Sequence, residues 1–192
     1  MGIYVLKRKE SIIITAIEVL YEAGISGMTI KEIAKRQNIS ESAIYRHYNG
    51  KSEIIKEIFK RYSIYDEVMT NTIFENKMVG KDGIRYFCRV FAEYYQNYPE
   101  ITTVMFSFDI FKYDEKTNER MKNTVKNRYD LLFGLVSKAI EIKKLVLVKD
   151  AQVITDSIFS VFWGTIFLWR MENCSFNLKE RITLAVDNII DF

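Results

Sequence analysis

Tyr45, Arg46, His47 and Lys51, together with the hydroxyls of Thr29, Ser40 and Ser42 and the ammonium of Lys31, fall in one short stretch of this chain. Side chains of these types can meet phosphate oxygens and base edges. Arg46 is the one most capable of reading a guanine edge bidentately, with a simple phosphate or solvent contact as the alternative. Lys51 is expected to open a helix, where its ammonium and the free backbone amides can meet the same phosphate. His47 is the only histidine in the chain, so it builds no metal or catalytic cluster, and a backbone contact or packing is the expectation for it. The chain has no H-E-x-x-H, Walker loop, G-x-S-x-G or dinucleotide fingerprint. No catalytic residue, metal site or cofactor is expected, and the chain is not expected to be an enzyme.

These residues need elements to position them. The run Met28 to Lys51, MTIKEIAKRQNISESAIYRHYNGK, reads as two short helices joined by a tight turn. Thr29 can cap the first, with Glu32 placed to complete a capping box. Ile30, Ile33 and Ala34 then share one face. Asn38 tolerates the left-handed conformation commonly needed after a helix C-terminus. Ser40 is a good N-cap for a second helix, expected over Glu41 to Tyr48, that buries Ile44 and Tyr48. A compact pair of this kind can place its second helix in a major groove.

Over residues 9 to 62 the chain resembles the DNA-binding domain of the TetR (tetracycline repressor) family of bacterial transcriptional regulators. The resemblance runs through Ile13, Ala16, Ile17 and Leu20, then Gly24 before Thr29, Ile33-Ala34, Ile39-Ser40, Ile44-Tyr45, His47-Tyr48 and Lys51. Three positions depart from the usual pattern: Asn38 where glycine is common, Ala43 where a hydroxyl residue is common, and Gly50 where a polar residue often precedes the lysine. Ala43 removes one possible DNA contact. The resemblance implies that Ser40, Ser42, Tyr45, Arg46 and His47 lie on or beside a recognition helix, that Tyr45 reaches a phosphate, that Thr29 and Lys31 approach the backbone from the preceding helix, and that Lys51 contacts phosphate.

Composition agrees with a soluble helical protein. One proline and eight glycines in 192 residues leave few obligatory breaks. Residues 1 to 62 carry 11 Lys/Arg against 7 Asp/Glu, a net +4, whereas residues 63 to 192 carry 17 against 18, a net −1. The positive excess belongs to the stretch expected to meet phosphates. The apolar start of the chain is too short for a signal h-region or a membrane span, and a cytoplasmic location is expected. Cys88 and Cys174 form no C-x-x-C pair and are expected as two buried thiols.

The expected fold is all-α, with about nine helices: a DNA-binding domain over 1–62, whose helix-turn-helix occupies 29–48, and an effector-binding and dimerisation domain over 63–192. The helix opened by Lys51 carries Ile54, Ile55, Ile58, Phe59 and Tyr62, and its apolar pattern continues weakly to about Phe74. Gly80 to Gly83 marks a break. Helices follow at about 84–97, 100–111, with Pro99 in its first turn, and 115–143, beginning after Tyr113 and Asp114. The long helix places Met121, Val125, Tyr129, Leu132, Phe133, Val136 and Ile140 on one side.

The segment 151–171 is apolar on two stripes, Ile154, Ile158, Val161, Phe162 and Trp169 on one and Val153, Trp163, Phe167 and Met171 on the other. A helix apolar on both sides must be covered on both. Asp156 and neighbouring Thr, Ser and Gly interrupt it too often for a bilayer span. One stripe is left for a partner, with a core helix of a monomer as the alternative. The resemblance implies a homodimer built on the last two helices, and Ile154, Ile158, Phe162, Ile182, Val186 and Ile189 are the expected interface residues. Phe87, Phe91, Tyr95, Met105, Phe106, Tyr129, Phe133 and Trp163 are expected to line a cavity for an apolar or aromatic effector, because bulky rings on bundle helices readily leave a gap; plain core packing is the alternative. The resemblance implies a repressor on double-stranded DNA with a palindromic operator, released by an unknown small molecule. A constitutive, ligand-independent DNA-binding protein of the same fold is the second reading.

Overall fold

The computed structural model of this protein describes residues 7–107, 115–142 and 150–191. Among these residues there are helices and turns and no strand, the all-α class expected. The chain runs through α1 (Arg8–Gly27), α2 (Ile30–Arg36), α3 (Glu41–Tyr45), α4 (Lys51–Tyr62), α5 (Asp66–Glu75) and α6 (Lys81–Asn97). A 3-10 turn, Pro99–Thr102, leads into the single helical turn Thr103–Phe106. Then come α7 (Glu115–Glu141), α8 (Ala151–Met171) and α9 (Leu178–Ile190). The chain divides into two compact units, Met1–Ser63 with Glu100–Lys122 and Ile64–Pro99 with Asn123–Phe192.

In the first unit α1 is the central member. Its Ile12, Ala16, Ile17, Val19 and Leu20 are buried, and α2, α4 and the turn Thr103–Phe106 pack on it. The apolar positions of α4 fall at the helical spacing read from the sequence, and Ile54, Ile55, Ile58, Phe59 and Tyr62 are all buried. That helix does not continue to Phe74. It ends at Tyr62, residues 63–65 form a turn, and α5 begins at Asp66.

The second unit is built around α6, α8 and α9. α6 starts at Lys81, three residues before the expected Ile84, and Gly83 lies inside it. A Cβ at Gly83 would stand 2.6 Å from Leu135 Cδ2, so this glycine permits close approach rather than marking a break. The buried face of α7 matches the expected one at Met121, Leu132 and Val136 and departs from it at Phe133. Arg128, Leu132, Leu135, Val136 and Ala139 are buried, while Phe133 is exposed. One residue is about 100° of helix, enough to turn Phe133 out once Leu132 faces in. The expected end of the short helix at Phe111, the start of the long one at Tyr113 and Asp114, and its end at Lys143 lie outside the described residues.

α5 is tied to α7 through one buried polar cluster. Arg128 donates from Nε to Asp66 Oδ1 and Oδ2 at 3.1 and 3.0 Å, from NH2 to Asp66 Oδ1 at 2.8 Å, and from NH1 to the Tyr95 hydroxyl at 2.9 Å. Its guanidinium also lies 4.4 Å from the centroid of the Phe91 ring. Burial pushes the Asp66 carboxyl above the ordinary carboxylate range, more than the adjacent Arg128 lowers it. In a buried pair of this kind the mutual attraction is offset by the desolvation of both charges.

α8 is long and apolar enough to cross a membrane by length and composition. In this fold Ile154, Thr155, Ile158, Phe162, Thr165, Ile166 and Trp169 are instead buried within the unit. Asp150 caps its start, accepting from Gln152 N at 2.8 Å and Val153 N at 3.4 Å. Asn177 caps α9 by accepting from Glu180 N at 3.0 Å, as its spacing implied. Cys88 is buried, which pushes its thiol up to about 12; Cys174 is only half-buried.

Replacing Asp66 alone leaves a buried guanidinium short of its carboxylate. Asp66→Ala is expected to lower stability by about 3 kcal/mol, the cost of breaking a buried pair from one side, whereas Asp66→Ala combined with Arg128→Met recovers most of the loss. Urea unfolding midpoints of the three proteins check this; a double variant as unstable as the single one would contradict it.

Candidate nucleic-acid interface

The turn between α2 and α3 is set by local chemistry. Thr29 Oγ1 accepts from Glu32 N at 3.1 Å, so the expected cap forms. The reciprocal half of the capping box does not, because the Glu32 carboxylate pairs with Arg36 Nε at 2.9 Å. Asn38 adopts a φ of 51°, the left-handed conformation expected of it. Ser40 Oγ accepts from Ala43 N at 3.2 Å and caps α3.

α3 is shorter than expected. It covers Glu41–Tyr45, and Arg46 and His47 lie in the turn that follows. Tyr48 still donates its backbone N–H to Ile44 O at 3.0 Å. Gly50 then takes a φ of 135°, which a side chain would resist, and redirects the chain into α4.

Three anchors hold this short helix against α1. Ile44 and Tyr48 are buried at 0% and 2% exposure, and the Tyr48 hydroxyl donates to Lys9 O at 2.7 Å. Burial pushes that phenol above its ordinary range. The Gln37 amide donates to Thr15 Oγ1 at 2.6 Å and accepts from Ser11 Oγ at 3.0 Å. Nothing in the sequence singled out Gln37, because its partners lie far back along the chain in α1. Arg61 of α4 closes the unit with an ion pair to Glu10 at 2.8 Å.

The side chains expected to meet DNA separate into groups. Lys31, Tyr45, Arg46 and His47 are exposed, with Tyr45 at 53%. Lys31 and Arg46 make no ion pair with any described residue. Thr29, Ser40 and Ser42 are exposed but occupied, Thr29 and Ser40 as caps and Ser42 through a 2.8 Å contact with Ser40 Oγ. Each hydroxyl keeps further hydrogen-bonding capacity. Lys51 does open α4, but its half-buried ammonium donates to Ile25 O and holds the end of α1. Arg36 is held by Glu22 at 2.7 Å as well as by Glu32.

The residues expected to line an effector cavity do not form one set. Phe87, Phe91 and Tyr95 are buried in a row along α6, the first pair edge to face with ring centroids 5.2 Å apart and the second stacked at 6.1 Å. Phe133 is exposed. Tyr129 donates to Asp156 Oδ1 at 2.6 Å and touches Phe159, which in turn meets Trp163; burial first and Asp156 second push its phenol up to about 12. Met105 and Phe106 belong to the first unit. Two surface clefts of the second unit, of about 480 and 340 Å³, are lined by other residues.

The expected dimer face requires correction. Ile154, Ile158, Phe162, Ile182 and Val186 are buried within the single chain, and Ile189 is half-buried. A partner cannot reach a side chain already covered by its own subunit. The uncovered apolar face consists of Val153, Phe167, Leu168 and Met171 on α8, 50 to 68% exposed, with Leu184 on α9 at 63%.

Ser40→Ala removes the cap of α3 and is expected to cost about 1 kcal/mol of stability; Tyr48→Phe, which strips one hydrogen bond and keeps the ring, is expected to cost a similar amount. Thermal or urea unfolding checks both, and an unchanged midpoint for both would show that these bonds do not anchor the segment.

Comparison with known proteins gives a family match that includes this segment. Residues 12–58 match the profile of the family described as bacterial regulatory proteins, tetR family. The HTH-type transcriptional regulator SrpR of Pseudomonas putida is 34% identical over 50 residues, a match covering 26% of this chain and 24% of that protein. The alignment thus spans only about a quarter of that relative. Along nearly its whole length the chain shares the fold of FadR from Bacillus subtilis, solved in complex with stearoyl-CoA, with a TM-score of 0.75 at 17% identity over 94% of this chain and 96% of that one. PfmR from Thermus thermophilus gives 0.78 at 17% identity, over 97% of each chain.

Proposed function

We propose that this chain is a regulator of the tetR family, whose profile matches residues 12–58: a cytoplasmic, non-enzymatic repressor that binds a palindromic operator as a homodimer and is released by a small apolar or aromatic molecule. The carrying observation is the capped, anchored α3 with Lys31, Tyr45, Arg46 and His47 exposed around it. Residues 1–62 act as the DNA-binding domain and residues 63–192 as the effector-binding and dimerisation domain. Two copies place their α3 segments in successive major grooves of one duplex.

Assembly uses the outward stripe of α8. Val153, Phe167, Leu168 and Met171, with Leu184 of α9, form an apolar face that a second copy covers. Leu168→Glu places a charge in that interface and is expected to yield folded monomers in sedimentation. Phe162→Glu, at a position inside the subunit, is expected to lower stability instead. A stable dimer of the Leu168→Glu protein would remove this face from the assembly.

Release requires that the effector bind the operator-free state more tightly. A coupling of about 1 to 3 kcal/mol changes operator affinity about 5- to 150-fold. FadR, crystallised with stearoyl-CoA on this fold, supports a ligand-responsive body. Operator binding that persists across a broad panel of apolar compounds would favour the constitutive reading.

The DNA contacts are separable by salt. Lys31→Ala is expected to weaken binding to every sequence alike and to reduce the salt slope by about 1, since a phosphate contact carries no base information. Arg46→Ala is expected to relax preference at one base pair, at a cost of about 1 to 3 kcal/mol. Fluorescence anisotropy on operator variants at several salt concentrations measures both; a Lys31→Ala slope equal to wild type would withdraw the phosphate assignment.

A further inference from the structure

α5 and the turn that follows it are tied to α7 at two points. Asp66 in the first turn of α5 holds Arg128. Just beyond the far end of α5, a Cβ on Gly80 would lie 3.5 Å from Ala139 Cα and 3.2 Å from Ile142 Cδ1. Between these ties the helices leave a groove of about 480 Å³. Its α7 side carries Asp130, Leu131, Gly134, Leu135 and Lys138. Gly134 leaves the middle open, since a Cβ there would meet nothing within 4 Å.

The opposite wall is Ile73, Phe74, Met78 and Val79, with Lys77. Phe74 and Val79 are 67% and 42% exposed, an apolar edge left facing water. Lys77 sits in the turn after α5 with a φ of 49° and has no ion-pair partner among the described residues. Among the described residues Lys138 pairs with Glu141 alone, and both are exposed, so that pair is weak. The Gly80 contact brings the turn containing Lys77 to the Lys138 end of α7. The groove thus has an apolar length and one cationic end.

We propose that this groove binds an amphipathic monoanion: a hydrocarbon or flat aromatic body along Ile73, Phe74, Leu131 and Leu135, with a single carboxylate between Lys77 and Lys138. The volume suits one small ligand. The apolar walls supply affinity, and the two ammonium groups fix the direction in which the molecule lies. This deepens the ligand-responsive reading and rests on it for its consequence, but occupancy is measured on DNA-free protein, so its failure is distinct from a failure of operator binding.

Calorimetric titration of the full chain with decanoate and with uncharged decanol tests it. Decanoate is expected to bind about tenfold more tightly than decanol, as one charge-assisted contact implies. Gly134→Leu fills the groove from a helical position with free space and is expected to abolish binding while leaving the far-ultraviolet dichroism and melting temperature intact. Lys77→Asn keeps a residue that tolerates the left-handed turn; with Lys138→Gln it is expected to reduce decanoate to the affinity of decanol. No binding up to the solubility of decanoate, or binding untouched by Gly134→Leu, overturns the proposal. So does a change of sedimenting species in Gly134→Leu, which would make the groove a contact between copies. Gly134-dependent binding to phosphatidylglycerol vesicles without decanoate binding overturns it in favour of a lipid surface.

Discussion

A helix of five residues does not hold itself together in water, because nucleation fixes several residues before hydrogen bonds repay it. α3 exists only because Ile44 and Tyr48 are sunk into the first unit and the Tyr48 hydroxyl is bonded to Lys9 O at 2.7 Å. Ser40, Ser42, Tyr45, Arg46 and His47 all sit on or beside the helix so anchored. Arg46 and His47 stand in the turn between Ile44 and Tyr48, so the two buried residues fix both ends of the exposed arc. Gln37, bonded to Thr15 at 2.6 Å, fixes the preceding turn to the same helix. The exposed arc is thus flanked on both sides by buried residues.

The second unit is organised by a different constraint. Arg128 is nearly buried and is met by Asp66, Tyr95 and Phe91 from two other helices. Burial raises the Asp66 carboxyl against the pull of Arg128, and the cluster ties α5 to α7 and α6. Arg85 binds Asp187 at 2.6 Å and Lys81 binds Asp191 at 3.0 Å, joining α6 to α9. Those pairs are half-exposed and contribute little beyond alignment. What holds α6, α8 and α9 together is the apolar interior of Phe91, Ile158, Ile166, Trp169 and Ile182.

Local signals were legible in the sequence because their physics is local. Thr29, Asn38, Ser40 and Asn177 each act within four residues of themselves, and each behaves as its type and position imply. The apolar spacing of α4 also translated directly into burial. Periodicity failed where it names faces without saying which is covered. α8 has two apolar stripes, and the one carrying Ile154, Ile158 and Phe162 faces the subunit's own core. Phe133 was misplaced on α7 for a related reason: Leu132 and Arg128 face in, and a sequence pattern built on apolar residues cannot register an inward arginine. Gln37 and Tyr48 bond to α1 over long sequence separations, which no spacing rule reaches.

The central claim is that the anchored α3 segment reads a specific, two-fold symmetric DNA site. Selection of bound duplexes from a random pool, followed by measurement of protomers bound per selected site, tests it directly. The account predicts a palindrome whose half-sites are centred about 10 base pairs or a multiple of that apart, occupied by two protomers. Binding with no sequence preference, or no binding at low salt, would contradict it.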